Sequence, residues 1–254
     1  VHEAVEDSSG NAGASFAAYA ARAGIKARIF VPESAGGPKR RQIEAYGAEL
    51  VRVPGGRKDA SDAAKIAIKD GVAYASHAYL PFNLPGYATV AYEIFEQLGN
   101  KMPGAVILPA GQGGLLLGVS RGLDSLHIAM NIADEKSIII GVQARECAPL
   151  WAAFTKGKEA ERLVVENQTL AEGVRVSSPV RAEGVLRAVL ASQGTICVVG
   201  ENEIIPCRTA LAKLGLYVEP TSAIVLSALE QTIRNIPDPV VVILTGSGYK
   251  YDLN

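Results

Sequence analysis

Ser8-Ser9-Gly10-Asn11-Ala12-Gly13 stands directly before an Ala-rich stretch of helical character. A Ser/Gly/Asn turn feeding a helix presents free backbone N–H groups at the helix N-terminus, where a carboxylate or phosphate can be held. Ser and Asn are also the preferred capping residues, so the same segment reads equally as an ordinary N-cap. Gly111-Gln112-Gly113-Gly114-Leu115 places three glycines in four positions between an apolar strand-length run and an apolar helix. Such a loop turns tightly and can bring several N–H groups onto one anion. It matches neither the dinucleotide fingerprint, because position 116 is Leu, nor the nucleotide phosphate loop, because no Gly-Lys-Ser/Thr follows. The competing reading is close helix–sheet packing through Gly113 and Gly114. Thr245-Gly246-Ser247-Gly248-Tyr249-Lys250 follows the last buried run, and hydroxyls at the carboxyl end of a parallel strand are where open α/β sheets place ligands. Glu219-Pro220-Thr221-Ser222-Ala223 reads as a plain helix start with Pro near its first position. His77 and His127 fit no metal-ligand spacing, so no metal site is expected.

These segments need a scaffold of alternating strands and helices, which implies a parallel sheet covered on both faces. Strands are predicted over residues 1–7, 26–31, 49–53, 72–75, 105–108, 137–142, 195–199 and 240–244. Helices are predicted over 11–23, 39–46, 59–69, 85–98, 115–123, 179–192, 202–214 and 221–233, with residues 144–176 holding a helix and loops. Met102-Pro103-Gly104 marks the expected boundary between a smaller domain, 1–102, and a larger one, 103–254.

The chain has 254 residues, enough for one large or two modest domains with a real core. A hydrophobic fraction of 48% against 20% charged excludes a disordered chain. A net charge of −1 argues against a general nucleic-acid binder. No apolar run approaches the length of a membrane helix. Cys147, Cys197 and Cys207 are odd in number and far apart, the pattern of reduced thiols in a cytoplasmic protein.

Taken in order, these strings resemble the fold type II pyridoxal-phosphate enzymes, the group of threonine synthase, threonine and serine dehydratases, cysteine synthase and the tryptophan synthase β chain. SSGNAGASFAAYAARAGIKARIFVP is similar to the asparagine loop with its helix and next strand. LPAGQGGLLLG is similar to the phosphate loop, EPTSAIVLSAL to a late helix opening, and LTGSGYK to the terminal segment facing the cofactor ring. The resemblance implies an α/β fold of two open, mostly parallel sheets covered by helices, with pyridoxal 5'-phosphate as cofactor. It implies that Asn11 bonds the phenolic oxygen of the ring, that Ser8, Ser9 and Gly10 hold the substrate carboxylate, and that Gly111, Gln112, Gly113, Gly114 and Leu115 bind the phosphate through backbone N–H groups. Thr245 would face the ring nitrogen. All three segments are then expected around one cleft.

Within the group, SSGNAGAS and PFNLPGYATVAYEIFEQLG are most similar to threonine synthases. Ser247 and Tyr249 depart from their usual TGHGLK, and the Gly113-Gly114-Leu115 loop is more like that of the dehydratases. The implied reaction is a lyase or synthase step on a small amino acid: O-phosphohomoserine and water to threonine and phosphate, or alternatively dehydration of threonine or serine. The family carries its Schiff-base lysine in an S-x-K-x-R-like segment ahead of the asparagine loop. That residue is expected upstream of Val1, in an N-terminal part missing from this chain. A non-catalytic binding module of the same fold is the remaining alternative. A homodimer is expected by resemblance.

Overall fold

The computed structural model describes residues 1–34, 36–68, 71–132 and 136–251. The chain forms two compact units, one from Val1–Leu80 joined by the chain's end from Lys250, the other from Pro81–Tyr249.

The first unit runs β1 (Glu3–Glu6), α1 (Asn11–Ala23), β2 (Lys26–Pro32), α2 (Pro38–Ala45), β3 (Glu49–Val53), α3 (Arg57–Ile66) and β4 (Val72–Tyr74). The strands form a parallel sheet in the order β3-β2-β1-β4. Small residues on α1 let it lie close: Ala14, Ala17 and Ala20 pack with Ile29, Val31 and Ile43. Ala60 and Ala64 of α3 pack with Val5 and Phe30. Gly24, in the left-handed conformation at φ 67°, ends α1 and turns the chain into β2. The predicted end of the third helix at residues 69 and 70 lies outside the described residues.

The second unit opens with α4 (Asn83–Gln97) and continues through β5 (Ala105–Pro109), α5 (Gly114–Ala129), β6 (Ile138–Ala144), α6 (Pro149–Lys156), α7 (Ala182–Ala191), β7 (Thr195–Val199), α8 (Glu201–Lys213), α9 (Pro220–Thr232) and β8 (Val240–Val242). Its sheet is also parallel, in the order β7-β6-β5-β8. β5 is buried along its whole length, which is why it reads as an unbroken apolar run. One core cluster joins Leu84 and Ala91 of α4 to Val106, Leu108, Leu116 and Val185, and another packs α9, through Ile224, Val225 and Ala228, against Ile107, Ile140 and Val142.

The boundary falls after Leu80, not after Met102 as the sequence suggested. Two glycines of α5 explain the difference. A Cβ on Gly118 would stand 2.2 Å from Tyr87 Cβ, and one on Gly122 would stand 2.7 Å from the Ala88 carbonyl oxygen. Without them α4 and α5 could not approach so closely, and that packing assigns α4 to the second unit. Gly104 is instead a strand entry, its N–H bonded to Pro239 O at 2.9 Å.

Candidate active site

In the second unit, β5 and β8 are adjacent parallel strands with Ile107 opposite Val242. The Ile243 N–H donates to Ile107 O at 2.9 Å. The loop from Gly111 to Leu115 and the segment from Thr245 therefore leave neighbouring strands at the same carboxyl end, where open α/β sheets place ligands.

The glycine loop opens α5. Gly113 is its N-cap, at φ 88° and in a conformation that L side chains rarely adopt. The first ladder bond runs from Leu117 N–H to Gly113 O, so the N–H groups of Gly114, Leu115 and Leu116 precede the ladder at the positive end of the helix. The cradle has no room for side chains. A Cβ on Gly111 would come 2.7 Å from Gly173 O, one on Gly113 2.4 Å from Val185 Cγ2, and one on Gly114 3.1 Å from Tyr87 Cε2. The packing reading of these glycines is observed: close approach to α4, to α7 and to the 173–174 turn is what shapes the loop. The Gln112 side chain is engaged elsewhere, its Oε1 accepting the Val180 N–H at 3.0 Å. Leu115 packs against the core, which leaves its N–H as the group able to face a phosphate.

Residues that the sequence left as an ordinary helix start hold this site together. Thr221 Oγ1 accepts the Gly173 N–H at 2.9 Å, and Ser222 Oγ accepts the Thr245 N–H at 2.8 Å. Adjacent residues in the first turn of α9 thus tie the turn beside Gly111 to the Thr245 segment. Glu219 is buried, and the space a Cβ would take on Gly246 is filled by its carboxylate carbon, 2.1 Å away. Gln143, fully buried at the end of β6, donates to Ala110 O at 3.1 Å and accepts the Trp151 N–H, pinning the residue ahead of the loop. Glu201 takes Thr169 Oγ1 at 2.7 Å and the Leu170 N–H at 2.6 Å, steadying the segment that leads to Gly173. A run of Glu-Pro-Thr-Ser could have flagged Thr221 and Ser222, but Gln143 and Glu201 carry no sequence signal of this role.

Ser8, Ser9, Gly10 and Asn11 lie in the first unit, between β1 and α1. The N-cap of α1 is Gly10, with no side-chain capping bond, so Ser and Asn do not act as a plain cap here. Asn11 is the first helical residue, and the first ladder bond, Ala14 N–H to Gly10 O at 3.1 Å, comes after the N–H groups of Asn11, Ala12 and Gly13. Gly13 is required: a Cβ there would stand 1.9 Å from Ser8 O. Ser8 Oγ closes the turn by accepting the Gly10 N–H at 3.2 Å.

Beneath the turn lies a group that the sequence left without a role. Glu6 is buried at the end of β1, and its carboxylate accepts the Ser8 N–H on one oxygen. Its other oxygen accepts the His77 Nδ1–H at 2.6 Å and the His77 N–H at 3.3 Å. Asp7 accepts the Tyr74 hydroxyl at 2.9 Å. Burial pushes the Tyr74 phenol up to about 12. Burial also works to lower the His77 pKa, but the hydrogen bond and charge of Glu6 outweigh it and hold His77 above its ordinary value. Glu6, Asp7 and His77 also bring one potential metal-ligating atom each to within 4.8 Å of the others.

Two parallel α/β sheets, with a glycine cradle opening a helix beside a hydroxyl at a strand end, define an enzyme fold that holds a phosphorylated cofactor. The chain belongs to the pyridoxal-phosphate dependent enzyme family, whose sequence profile matches residues 2–246. It is 34% identical over 249 residues to the threonine synthase of Methanocaldococcus jannaschii, covering 96% of this chain and 61% of that protein. It is 33% identical to the threonine synthase of a Bacillus species, covering 96% of this chain and 68% of that one. Against the first of these relatives, and the 60% covered of a Methanosarcina acetivorans threonine synthase, the chain spans about three-fifths of their length. Among solved structures, a T.th. threonine deaminase superposes with a TM-score of 0.81 at 26% identity, covering 99% of this chain and 79% of that one. Maize serine racemase shares the fold, with a TM-score of 0.81 at 21% identity over 98% of this chain and 73% of that one. The fold type II architecture expected from the sequence is the one observed. Among the described residues, no helix is long and apolar enough to cross a membrane.

Proposed function

We propose that the whole protein is a pyridoxal-phosphate dependent threonine synthase, converting O-phosphohomoserine and water to threonine and phosphate. The observation that carries this reading is the pairing of the glycine cradle with Thr245 on adjacent strands, bridged by Thr221 and Ser222. Threonine synthases at 30–34% identity support the choice of reaction.

The residues fit the cofactor because the cradle is bare of side chains where a phosphate must approach the backbone. Gly111, Gln112, Gly113, Gly114 and Leu115 would hold the phosphate through N–H groups, aided by the α5 dipole. When bound, the cofactor supplies an electron sink for charge that develops at the substrate α-carbon. Thr245 would present a neutral hydroxyl to the ring nitrogen, and Ser222 fixes the backbone that carries it. A neutral partner suits chemistry that does not need a fully protonated ring nitrogen. Asn11 would bond the phenolic oxygen, while Ser8, Ser9 and Gly10 with the first turn of α1 would orient the substrate carboxylate. The amino-acid substrate, a cytoplasmic location and a homodimer belong to the same proposal.

Dehydration of threonine or serine is the second reading, favoured by the likeness to the T.th. threonine deaminase. Phosphate release from O-phosphohomoserine should exceed keto-acid formation from threonine or serine in the full-length, cofactor-loaded protein. Keto-acid formation alone would reverse the two readings, and turnover of neither substrate would refute both.

A further inference from the structure

Glu6 joins two segments that are distant in sequence. One carboxylate oxygen accepts the Ser8 N–H that begins the turn into α1; the other accepts both the His77 N–H and its Nδ1–H, 71 residues away. Glu6 is 1% exposed, so its bonds are to the protein and not shared with bulk water. The His77 side chain is 35% exposed and can exchange protons with solvent. β1 and β4 pair directly, and Ala75 N–H bonds Val5 O at 2.8 Å, so the backbone that carries both partners is fixed. What can vary is the charge on the imidazole. The charged groups facing it are Glu6, Asp7 and Arg57. Asp7 is itself held by the Tyr74 hydroxyl.

We propose that Glu6 and His77 are positioning residues for the Ser8–Asn11 turn, and that the charge state of His77 sets how firmly the turn is held. The inference rests on the functional reading above only in taking that turn as a substrate-binding element. A protonated His77 makes a charge-assisted bond and keeps the carboxylate oriented toward Ser8; a neutral one keeps a weaker bond and lets the turn open more often. The turn is therefore tighter on the acid side of the His77 titration and looser on the alkaline side.

Amide hydrogen exchange of the intact chain across pH 6–9, corrected for intrinsic rates, tests this without any cofactor. Glu6→Gln should speed exchange at Ser8 and Gly10 by about five- to tenfold, the ratio expected when a charge-assisted hydrogen bond becomes a neutral one. His77→Gln, at a partly exposed site, should leave the fold intact and abolish the pH dependence of exchange at those amides. Should Glu6→Gln fail to fold, His77→Gln alone decides. Unchanged exchange in a folded Glu6→Gln protein, or a pH dependence that survives His77→Gln, would overturn the inference. Titration with pyridoxal phosphate separates the two readings. If exchange responds as stated while the full-length protein binds no cofactor, the positioning role stands and the functional reading falls.

Discussion

The hydroxyl of Ser222 accepts the backbone N–H of Thr245 at 2.8 Å, across 23 residues of chain. Ser222 is fully buried in the first turn of α9, and Thr245 is the first residue beyond the last apolar run. A residue that looks like part of a helix start thus holds the backbone that carries the strand-end hydroxyl.

Ser222→Ala should leave the Thr245 N–H without its acceptor. Thr245 is exposed and water can reach its N–H, so chemical denaturation should show only the net loss of an ordinary hydrogen bond, about 0.5–1.5 kcal/mol. Cofactor affinity of the full-length protein should fall as well, because Thr245 is no longer held in place. Unchanged affinity would mean that Thr245 is positioned by something else.

Gly113→Ala combines a backbone at φ 88° with a Cβ only 2.4 Å from Val185 Cγ2. The backbone strain alone costs about 1–3 kcal/mol. Thermal unfolding should shift downward, and affinity for the phosphorylated cofactor should fall further than for the dephosphorylated vitamer. Equal losses for both ligands would show that the loop does not hold the phosphate.

Arg208 is buried, donates Nε–H to Val218 O at 2.9 Å and places its guanidinium 4.8 Å from the centre of the Tyr217 ring. Tyr217 meets Tyr249 edge-on at 5.1 Å, and Gly248 N–H bonds Tyr217 O at 3.0 Å. Arg208→Met should lose the hydrogen bond, worth about 1–3 kcal/mol when its acceptor stays buried. Proteolysis or hydrogen exchange should then report earlier opening at Ser247 to Tyr249 than elsewhere in the unit.

The His77 pair gives stability a definite pH sign. Its pKa is raised in the folded state above an ordinary 6.5. The pair's contribution is therefore fully present below about pH 6.5 and is lost as pH rises through the raised native value. Denaturation midpoints of the native chain should decline across that window relative to His77→Gln. The reverse slope would mean that the imidazole is held neutral.

Cys147, Cys197 and Cys207 are free and buried, and burial pushes all three thiols up. A thiol held protonated and out of reach of solvent reacts slowly. The native chain should consume almost no thiol reagent near neutral pH and consume three equivalents once unfolded. Rapid native labelling at any one would show local opening at that residue.

Much of the architecture was legible because its signals are local. Val106, Ile107 and Leu108 read as a buried strand, Gly113 and Gly114 as a loop needing bare backbone, and Thr245 as a hydroxyl at a strand end, each from a few neighbouring residues. The unit boundary was not legible in the same way. Met102-Pro103-Gly104 has the composition of a linker, yet α4 is bound to α5 through Gly118 and Gly122, and a glycine inside a helix does not name the surface it admits.

The sequence by itself determined the alternation of strand and helix, the places where backbone N–H groups stand free at helix starts, and the family these strings resemble. Only the tertiary structure decided that Glu6 meets His77 and Ser8, that Gln143 pins Ala110, and that Thr221 and Ser222 reach Gly173 and Thr245. The reason is strand order. In a parallel sheet, sequential strands are separated by crossovers, and whether β1 lies beside β4 or β5 beside β8 is settled by how the covering helices pack. A side chain's partner across such a pairing is fixed by that choice and leaves no mark on its own neighbours in the chain.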